Sequence, residues 1–279
     1  MMSAPKISVI SGAYNLAGCK TLDRSIKSVL DQTFADFEFI ICDDGSDDGT
    51  YEILKGYAEM DGRIRLIKNE KNLGLVKTLN RCLEISEGEY IARHDCDDYN
   101  APTRFEKQLA FLEANPDISV LGTAASLFDK GGVWDTEIMP TVIENRDFLF
   151  NNPYKHGSIM MRRDAVERAG GYRDAPETVR NEDYDLFMRM QLFTKGANLP
   201  EPLYYFCEDD AARGRRKYRY RINEAKVRRR GFKALGMMPK ASLYVIKPLI
   251  VGLIPSFALK ALQKRRRKKK NTQCGGKSE

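Results

Sequence analysis

The stretch Phe37-Glu38-Phe39-Ile40-Ile41-Cys42-Asp43-Asp44-Gly45-Ser46-Asp47-Asp48-Gly49-Thr50 joins an apolar, strand-like run to a dense acidic cluster. A second apolar run, residues 90–92, precedes Asp95-Cys96-Asp97-Asp98. Carboxylates crowded at the end of a strand repel one another, so a fold keeps them together only where a cation, a hydrogen-bonding ligand or solvent compensates their charge. Either cluster alone is typical of a solvated turn rich in Asp and Gly. Their joint placement after strand-like runs favours a site for a divalent metal and a nucleotide.

Strand-like and helix-like segments alternate through the first part of the chain. The strand-like segments are residues 7–10, 37–42, 64–67 and 90–92, and the helix-like segments lie near residues 20–30, 50–58 and 75–85. This alternation predicts an α/β fold in which helices cover a mostly parallel sheet. Ligands of such sheets bind at the carboxyl ends of the strands, where Tyr14, Asp43 and Asp95 fall.

The pattern changes after residue 110. Thr103 with Glu106 three residues later predicts a capping box at the start of a helix that ends at Asn115-Pro116. Residues 117–206 then show short strand-like runs, turns and a helix that begins near Glu182. We therefore divide the chain into residues 1–110, residues 111–207, a basic helix-like segment at 208–236, and an apolar stretch with a polybasic tail at 237–279.

The net charge of +7 over 279 residues conceals a strong asymmetry. Residues 1–212 hold 24 Lys and Arg against 37 Asp and Glu, whereas residues 213–279 hold 22 against 2. A hydrophobic content of 42% is enough for a real core, which excludes a disordered protein. An acidic globular part with a basic end indicates attachment to an anionic surface, either a membrane or a nucleic acid.

The six cysteines form no Cys-x-x-Cys pair, and only His94 and His156 could join them in a metal site. We therefore expect no zinc site. The first six residues are too short and too polar for an export signal. Scattered cysteines without such a signal indicate reduced thiols in a cytoplasmic protein.

Residues 7–15, Ile-Ser-Val-Ile-Ser-Gly-Ala-Tyr-Asn, together with the two acidic clusters resemble the family 2 inverting glycosyltransferases, which have the GT-A fold. The resemblance covers residues 6–206. It also includes Asn72-Leu73-Gly74, Asn80, Pro102-x-Arg104-x-x-x-Gln108, His156-Gly157-Ser158, Gly170-Gly171-Tyr172 and Asn181-Glu182-Asp183-Tyr184-Asp185-Leu186. It implies that residues 1–110 bind a nucleotide-sugar donor and that residues 111–207 bind the acceptor.

In that family the turn matched by Gly12-Ala13-Tyr14-Asn15 lies beside the base of the donor nucleotide. The residue matched by Asp43 hydrogen-bonds the uracil, and Asn72 belongs to a loop that we also assign to the donor site. These matches imply a UDP-sugar as the donor. From the residues alone, Tyr14 is equally well interpreted as a core aromatic at the end of a strand.

The family's Asp-x-Asp motif, matched by Asp95 and Asp97, contacts the ribose and the metal that bridges the donor diphosphate. Asp98 extends the motif. Mg²⁺ and Mn²⁺ prefer carboxylate and phosphate oxygens, so the resemblance implies one of these ions on Asp97 and Asp95. Cys96 departs from the Ala or Ser common in the family, which is tolerable where that side chain points away from the metal.

The catalytic base implied by the resemblance is Asp183, near the start of a helix, where the helix dipole favours a carboxylate. A base there would deprotonate the acceptor hydroxyl as it attacks the face opposite the leaving group, which inverts the anomeric centre. Glu182 and Asp185 are the alternatives for this role. Without the resemblance, Glu182-Asp183 is typical of ordinary helix capping. His94 is interpreted as a packing residue, and a lone histidine such as His156 is more often structural than functional.

The C-terminal region is interpreted as membrane-associating. A basic helix is expected near residues 213–235, either packed against the domain or facing phospholipid. The uncharged stretch 248–259 is shorter than the roughly 20 apolar residues that a spanning helix needs, so we expect it to lie in the membrane interface. Seven consecutive basic residues, 264–270, would add an attraction to anionic lipid, with a disordered solubilising tail as the alternative.

These observations predict a metal-assisted, inverting glycosyltransferase on the inner face of the cell membrane. It would move one sugar onto a lipid-linked or cell-surface glycan acceptor. The sequence has no Gln-x-x-Arg-Trp, the hallmark of the family's processive synthases, which favours single transfer. The alternatives are a nucleic-acid-binding protein that uses the basic tail and a catalytically inactive nucleotide-sugar-binding module. No motif for nucleic-acid binding is present, so we expect no nucleic-acid partner.

Overall fold

The computed structural model describes residues 4–208 and 218–253. Its strands are β1 Ile7–Ala13, β2 Phe37–Asp43, β3 Ile64–Lys68, β4 Tyr90–Arg93, β5 Tyr99–Asn100, β6 Ile118–Asp129, β7 Gly132–Glu137, β8 Met160–Arg162 and β9 Lys195–Cys207. Its α-helices are α1 Leu22–Leu30, α2 Thr50–Met60, α3 Leu75–Ile85, α4 Arg104–Ala114, α5 Arg163–Ala169, α6 Glu182–Met190, α7 Tyr218–Ala234 and α8 Ser242–Leu253. Two 3-10 helices cover Asn145–Leu149 and His156–Ser158.

The described residues form one sheet of nine strands in the order β3-β2-β1-β4-β8-β6-β9-β5, with β7 paired to β6. Strands β1 to β4 are parallel to their neighbours within that group. Strand β8 is antiparallel to both β4 and β6, and β5 is antiparallel to β9. The prediction of a mostly parallel sheet therefore holds for the first four strands, whereas the whole sheet is mixed, because short strands of the second half return along it.

The core lies on both faces of the sheet. On one face α1, α2 and α4 pack through apolar residues such as Ile26, Leu54 and Leu109. On the other face α3, α5, α6 and α7 pack through residues such as Leu79, Leu186 and Phe232. Apolar residues spaced three and four apart place these side chains on one side of each helix, which is why the helices cover the sheet. The predicted helices that cover the sheet are confirmed.

The predicted capping box at Thr103 is wrong. The Thr103 side chain makes no capping hydrogen bond. The Glu106 carboxylate instead accepts a hydrogen bond of 2.7 Å from the Thr33 hydroxyl and so ties α4 to the loop after α1. The helix ends at Asn115, as predicted from Asn115-Pro116.

The basic segment predicted near residues 213–235 is helical where the structure describes it, as α7, and α7 packs against α8. Arg228 of α7 is buried and donates to the Leu149 carbonyl at 2.8 Å and to the Phe150 carbonyl at 3.2 Å. Its guanidinium also lies over the Tyr184 ring of α6. The polybasic run 264–270 and residues 254–259 of the apolar stretch lie outside the described residues.

In the described ranges 4–208 and 218–253, no helix is both long enough and apolar enough to cross a membrane.

Candidate functional site

The first acidic cluster is folded tightly around two of its carboxylates. Asp44 is 4% exposed, and its Oδ1 accepts hydrogen bonds from the Leu73 amide at 2.8 Å and the Asn69 side chain at 2.7 Å. Its Oδ2 accepts from the Gly74 amide at 2.9 Å. Gly45 has a positive φ of 72°, and a Cβ there would lie 2.5 Å from the Lys71 carbonyl carbon. The cluster therefore fixes the loop that carries Asn72, whose side chain is exposed.

The same cluster holds the turn after β1. The Asp48 carboxylate accepts from the Ala17 amide at 3.0 Å, and the Asn15 amide donates to the Ser46 hydroxyl at 3.0 Å. Asn15 itself has a positive φ of 51°, a conformation that Asn tolerates better than most residues. Tyr14 in this turn is 47% exposed, so the structure favours a surface position over the alternative of a core aromatic. The turn Gly12-Ala13-Tyr14-Asn15 and Asp43 thus lie at adjacent strand ends.

Asp43 is fully buried and offers one free acceptor. Its Oδ1 accepts a hydrogen bond of 2.9 Å from the Ser46 amide. Its Oδ2 is buried without a hydrogen-bond partner among the described residues. A buried acceptor without a partner is costly, so this oxygen is a natural partner for a donor group on a ligand. Gly12 pairs with Cys42 in the neighbouring strand, and a Cβ on Gly12 would approach Thr78 at 3.0 Å.

The second acidic cluster follows β4, and its first member is bound by a buried arginine. Arg93 is fully buried, and its guanidinium donates to Asp95 Oδ1. Burial is the largest influence on Asp95 and raises its pKa, but the charge and hydrogen bond of Arg93, together with His156 and His94, outweigh burial and lower the pKa of Asp95. A Cβ added to Gly157 would lie 2.9 Å from Asp95 Oδ2, so the second half of the chain contacts this cluster directly.

Asp97 and Asp98 have different environments. Asp98 is 1% exposed, and its carboxylate accepts from the Tyr204 hydroxyl at 2.8 Å and the Cys207 amide at 2.6 Å. Both of its oxygens are thus held by β9. The Asp97 side chain reaches solvent, although the surrounding protein and the charge of Asp95 raise its pKa to about 6. Ionisation of Asp97 is therefore less favourable than that of a free Asp side chain, and a cation would compensate this cost.

The carboxylates of Asp95 and Asp97 fit a hard divalent cation. Within the described residues no group of three or more Asp, Glu, His or Cys side chains could hold a metal by itself. Mg²⁺ is commonly bound by one or two carboxylates together with substrate phosphates, and Mn²⁺ accepts the same oxygen ligands. Two carboxylates on one loop therefore suffice where a diphosphate supplies the remaining oxygens.

Asp183 lies in the first turn of α6 and is partly exposed. The Asn152 amide donates to its Oδ2 at 2.7 Å. Its neighbours in the alternative roles are less free. Asp185 is 4% exposed and is ion-paired with Arg189 at 2.7 Å, while burial and then the Asp183 charge raise the pKa of Glu182 to about 7. Among the described residues, Asp183 is the one of these three carboxylates that is both accessible and free of an ion pair, whereas Glu182 and Asp185 are buried.

His156 lies on the 3-10 helix His156–Ser158, which adjoins the second acidic cluster. Its Nε2 is hydrogen-bonded to the Tyr172 hydroxyl at 2.8 Å. Burial and the charge of Arg93 lower the pKa of His156, against the opposing charges of Asp183 and Asp95. The His156 ring lies 6.2 Å from the Phe187 ring of α6, and a Cβ on the next residue, Gly157, would lie 2.9 Å from Asp95 Oδ2, so the fold brings the end of β4 and α6 to one place. His94, in contrast, is buried and hydrogen-bonded to Ser25 at 2.8 Å, consistent with the predicted packing role.

Sequence reasoning missed three residues that support this site: Arg93, Asn152 and Tyr204. It included Asp44 in the first acidic cluster but did not predict that Asp44 anchors a loop. Arg104 belongs to the quoted Pro-x-Arg-x-x-x-Gln pattern, and the structure gives it a positioning task. It is buried and donates to the carbonyls of Arg93 at 2.9 Å and Ile159 at 3.0 Å. A basic residue at the end of an apolar strand, immediately before an acidic cluster, is the signal that could have identified Arg93.

Comparison with known proteins places these features in a family. The family described as "Glycosyl transferase family 2" matches residues 8–170. The glycosyltransferase-family protein EpsE of Bacillus subtilis (strain 168) is 41% identical over 268 residues, which are 95% of this chain and 96% of the relative. The amylovoran biosynthesis glycosyltransferase AmsE of Erwinia amylovora is 30% identical over 94% of this chain and 99% of its own length.

Solved structures agree on the fold. S. aureus TarS in complex with UDP-GlcNAc superposes with a TM-score of 0.65 and 21% identity, over 80% of this chain and 65% of that one. The mannosyltransferase PcManGT of Pyrobaculum calidifontis, in complex with GDP-Man and Mn²⁺, has a TM-score of 0.62 and 17% identity, over 97% and 83%. The mixed sheet flanked by helices is thus the GT-A fold.

The chain belongs to glycosyl transferase family 2 and is a glycosyltransferase of that family. The predicted family and activity class are confirmed, and the nucleic-acid-binding and inactive-module alternatives gain no support from these comparisons.

Proposed function

We propose that this glycosyltransferase transfers one sugar from a nucleotide-sugar, a UDP-sugar, to a lipid-linked or cell-surface glycan acceptor with inversion. The observation that carries the proposal is that residues 156 and 157 contact both sides of the site: a Cβ added to Gly157 would lie 2.9 Å from Asp95 Oδ2, and the His156 ring lies 6.2 Å from the Phe187 ring of α6, the helix that carries Asp183. Two carboxylate groups in one cleft, one suited to a cation and one accessible as a base, match the two requirements of glycosyl transfer. The relative AmsE, an amylovoran biosynthesis glycosyltransferase, suggests a role in the synthesis of a polysaccharide.

On the donor side, the proposal assigns base recognition to the turn 12–15 and Asp43. The free, buried Oδ2 of Asp43 supports this assignment, because it can accept a hydrogen bond from an N–H of the uracil edge. Asn72 lies on the loop that Asp44, the residue after Asp43, anchors through the Leu73 amide. Asp98, which β9 holds by both oxygens, would act by fixing the Asp95–Asp98 loop rather than through a free oxygen.

A divalent cation would be held by Asp95 Oδ2 and Asp97. When bound, it would neutralise the donor diphosphate as the bond to the anomeric carbon breaks. Arg93 holds Asp95 ionised and oriented for that ligand role. The Mn²⁺ in the PcManGT complex supports this cofactor.

On the acceptor side, Asp183 would take the proton of the attacking hydroxyl. The Asn152 amide orients its carboxylate by a hydrogen bond to Oδ2. Ion pairing removes Asp185 from competition for the role, and the raised pKa of Glu182 keeps it partly protonated near neutral pH. Attack from the side of Asp183, with the diphosphate departing toward Asp97, inverts the anomeric carbon.

The membrane assignment rests on charge. The basic C-terminal region, residues 213–279, follows an acidic globular part, and we propose peripheral attachment to the inner face of the cell membrane. The apolar stretch 248–259 and the run 264–270 would supply the apolar and electrostatic parts of that attachment.

A donor screen by thermal shift tests the proposed function. A nucleotide-sugar present at 100 times its Kd should stabilise the protein by about 2.7 kcal/mol, and Mn²⁺ should be required. Asp183→Asn serves as the matched variant, because it should bind the donor and fail to transfer. If no UDP-sugar stabilises the protein while another nucleotide-sugar does, the assignment of uracil as the nucleotide base of the donor is wrong. If none does, the donor site is wrong.

A further inference from the structure

One face of α8 is apolar and uncovered in the part of the chain that the structure describes. Leu243, Ile246, Ile250 and Leu253 are 78%, 47%, 59% and 72% exposed. Their spacing of three, four and three residues places all four on one side of the helix, while Pro248 on the other side is buried. We call these four residues the α8 stripe. A contiguous exposed apolar stripe on a protein surface marks an interaction site.

The surroundings of the stripe are strongly basic. Between residues 218 and 253 there are nine Lys and Arg and one acidic residue, Glu224, which is itself paired with Arg228 at 3.0 Å. Arg219, Lys226, Arg229 and Lys233 are among the exposed cations of α7. A second copy of this face, or the basic run 264–270 of the same chain, would be repelled. An anionic lipid surface satisfies both the apolar stripe and the positive charge.

The pair α7–α8 is fixed to the wall of the candidate site. Lys247 Nζ donates to the Phe150 carbonyl at 3.0 Å, and the Tyr244 ring contacts the Phe150 ring with centroids 5.3 Å apart. Two residues later, Asn152 donates to Asp183. Phe150 is 57% exposed and continues the apolar surface toward the site. A surface that contacts α8 therefore also adjoins the segment that holds the proposed base.

We propose that α8 lies flat on an anionic phospholipid bilayer with the α8 stripe inserted, so that the Asp183 end of the cleft adjoins the lipid surface. A helix of 12 residues is about 18 Å long, too short to span and suited to lie in the interface. The inference rests on the proposed function in one respect, which is that the acceptor binds at the Asp183 end of the cleft. An acceptor carried on a membrane lipid would then reach this end from the bilayer. The proposed membrane contact begins at Leu243, upstream of the stretch 248–259 that the sequence assigned to the membrane interface.

Fluorescence quenching locates the contact on the full-length protein. Leu243→Trp and Phe150→Trp are mixed with vesicles of phosphatidylcholine and phosphatidylglycerol whose phosphatidylcholine chains are brominated. We expect the fluorescence of both variants to be quenched more than that of the parent protein, in which Trp134 is the single tryptophan. Met60→Trp is the matched control, because Met60 is 75% exposed on α2, and it should not be quenched. Binding of the full chain to vesicles without quenching at position 243 would overturn the proposal.

A second measurement removes the stripe. Leu243→Ser/Ile250→Ser should weaken binding to these vesicles by roughly tenfold or more, since two exposed apolar side chains lose their burial. Met60→Ser/Val133→Ser should leave it unchanged. The stripe variant should still be stabilised by the donor, so a failed membrane proposal is distinguishable from a failed donor site. Unchanged vesicle binding, or a dimer by light scattering that the stripe variant abolishes, would overturn the proposal.

Discussion

Asp44 anchors the loop 69–74 to the first acidic cluster, and its substitution tests how much that anchor contributes. Three donors point at one buried carboxylate: the amides of Leu73 and Gly74 and the side chain of Asn69. Asp44→Ala leaves all three without their acceptor. Asp44→Asn keeps the shape but turns an amide group toward one of these donors.

The expected loss of stability follows from that hydrogen-bond count. A hydrogen bond to a charged group contributes about 1.5 to 3 kcal/mol, and a buried donor left unpaired costs about 1 to 3 kcal/mol. We therefore expect Asp44→Asn to lower the free energy of unfolding by about 2 kcal/mol. Asp44→Ala should lower the free energy of unfolding by about 4 kcal/mol. This loss is smaller than the sum for three separate hydrogen bonds, because water can enter and satisfy some of the donors of the loop.

Urea unfolding followed by the fluorescence of the single Trp134 measures both losses. Asp47→Asn is the matched control: Asp47 lies in the same cluster, its side chain is exposed, and its change should stay within about 0.5 kcal/mol. Donor affinity should fall with the Asp44 variants, because the loop that carries Asn72 loses its anchor. If Asp44→Ala is as stable as Asp47→Asn, the carboxylate does not hold the loop and the reasoning fails.

Four further outcomes are expected. Asp183→Asn should reduce transfer by about 10²- to 10⁴-fold with unchanged donor affinity; near-normal turnover would move the base to Glu182. Asp97→Ala should remove the Mn²⁺ dependence of donor binding without lowering the metal-free unfolding midpoint, and unchanged metal dependence would refute the ligand assignment. Burial raises the pKa of Glu182 to about 7 in the folded state, so its ionisation lowers the free energy of unfolding as pH rises from about 4.5 to 7. The loss is on the order of 3 kcal/mol. In Glu182→Gln this pH dependence should be absent when urea unfolding at pH 5 and at pH 8 is compared. Deleting residues 237–279 should abolish flotation with anionic liposomes, and high salt should weaken the flotation of the intact chain; equal flotation of both chains would contradict the membrane anchor.

The first half of the fold could be predicted from the sequence because its signals are local. Each apolar run became a strand within a few residues of the expected bounds, and α3 matches its predicted range. The short strands β5 and β8 could not be predicted. They have two and three residues, and their pairing with β9 and β4 depends on partners far along the chain. The mixed sheet direction follows from these pairings.

The candidate site shows the same division. Asp43, Asp95 and Asp183 could be proposed because family motifs surround them. Arg93 and Asn152 were missed, because what matters about each is the partner that the fold supplies: Asp95 in one case and Asp183 in the other. The prediction of a capping box at Thr103 was wrong for a related reason, because the Glu106 carboxylate accepts a hydrogen bond from the distant Thr33 hydroxyl instead.

The position of β8 in the sheet has a consequence for how the enzyme can be divided. Strand β8 belongs to residues 111–207 but fills the gap between β4 and β6. A fragment of residues 1–110 would expose β4 as a bare edge, with unpaired amides and carbonyls ready to recruit a strand from another molecule. Expressed alone, that fragment should self-associate through β4. The two parts of the chain therefore share one sheet, and residues 1–110 depend on β8 for a complete edge at β4.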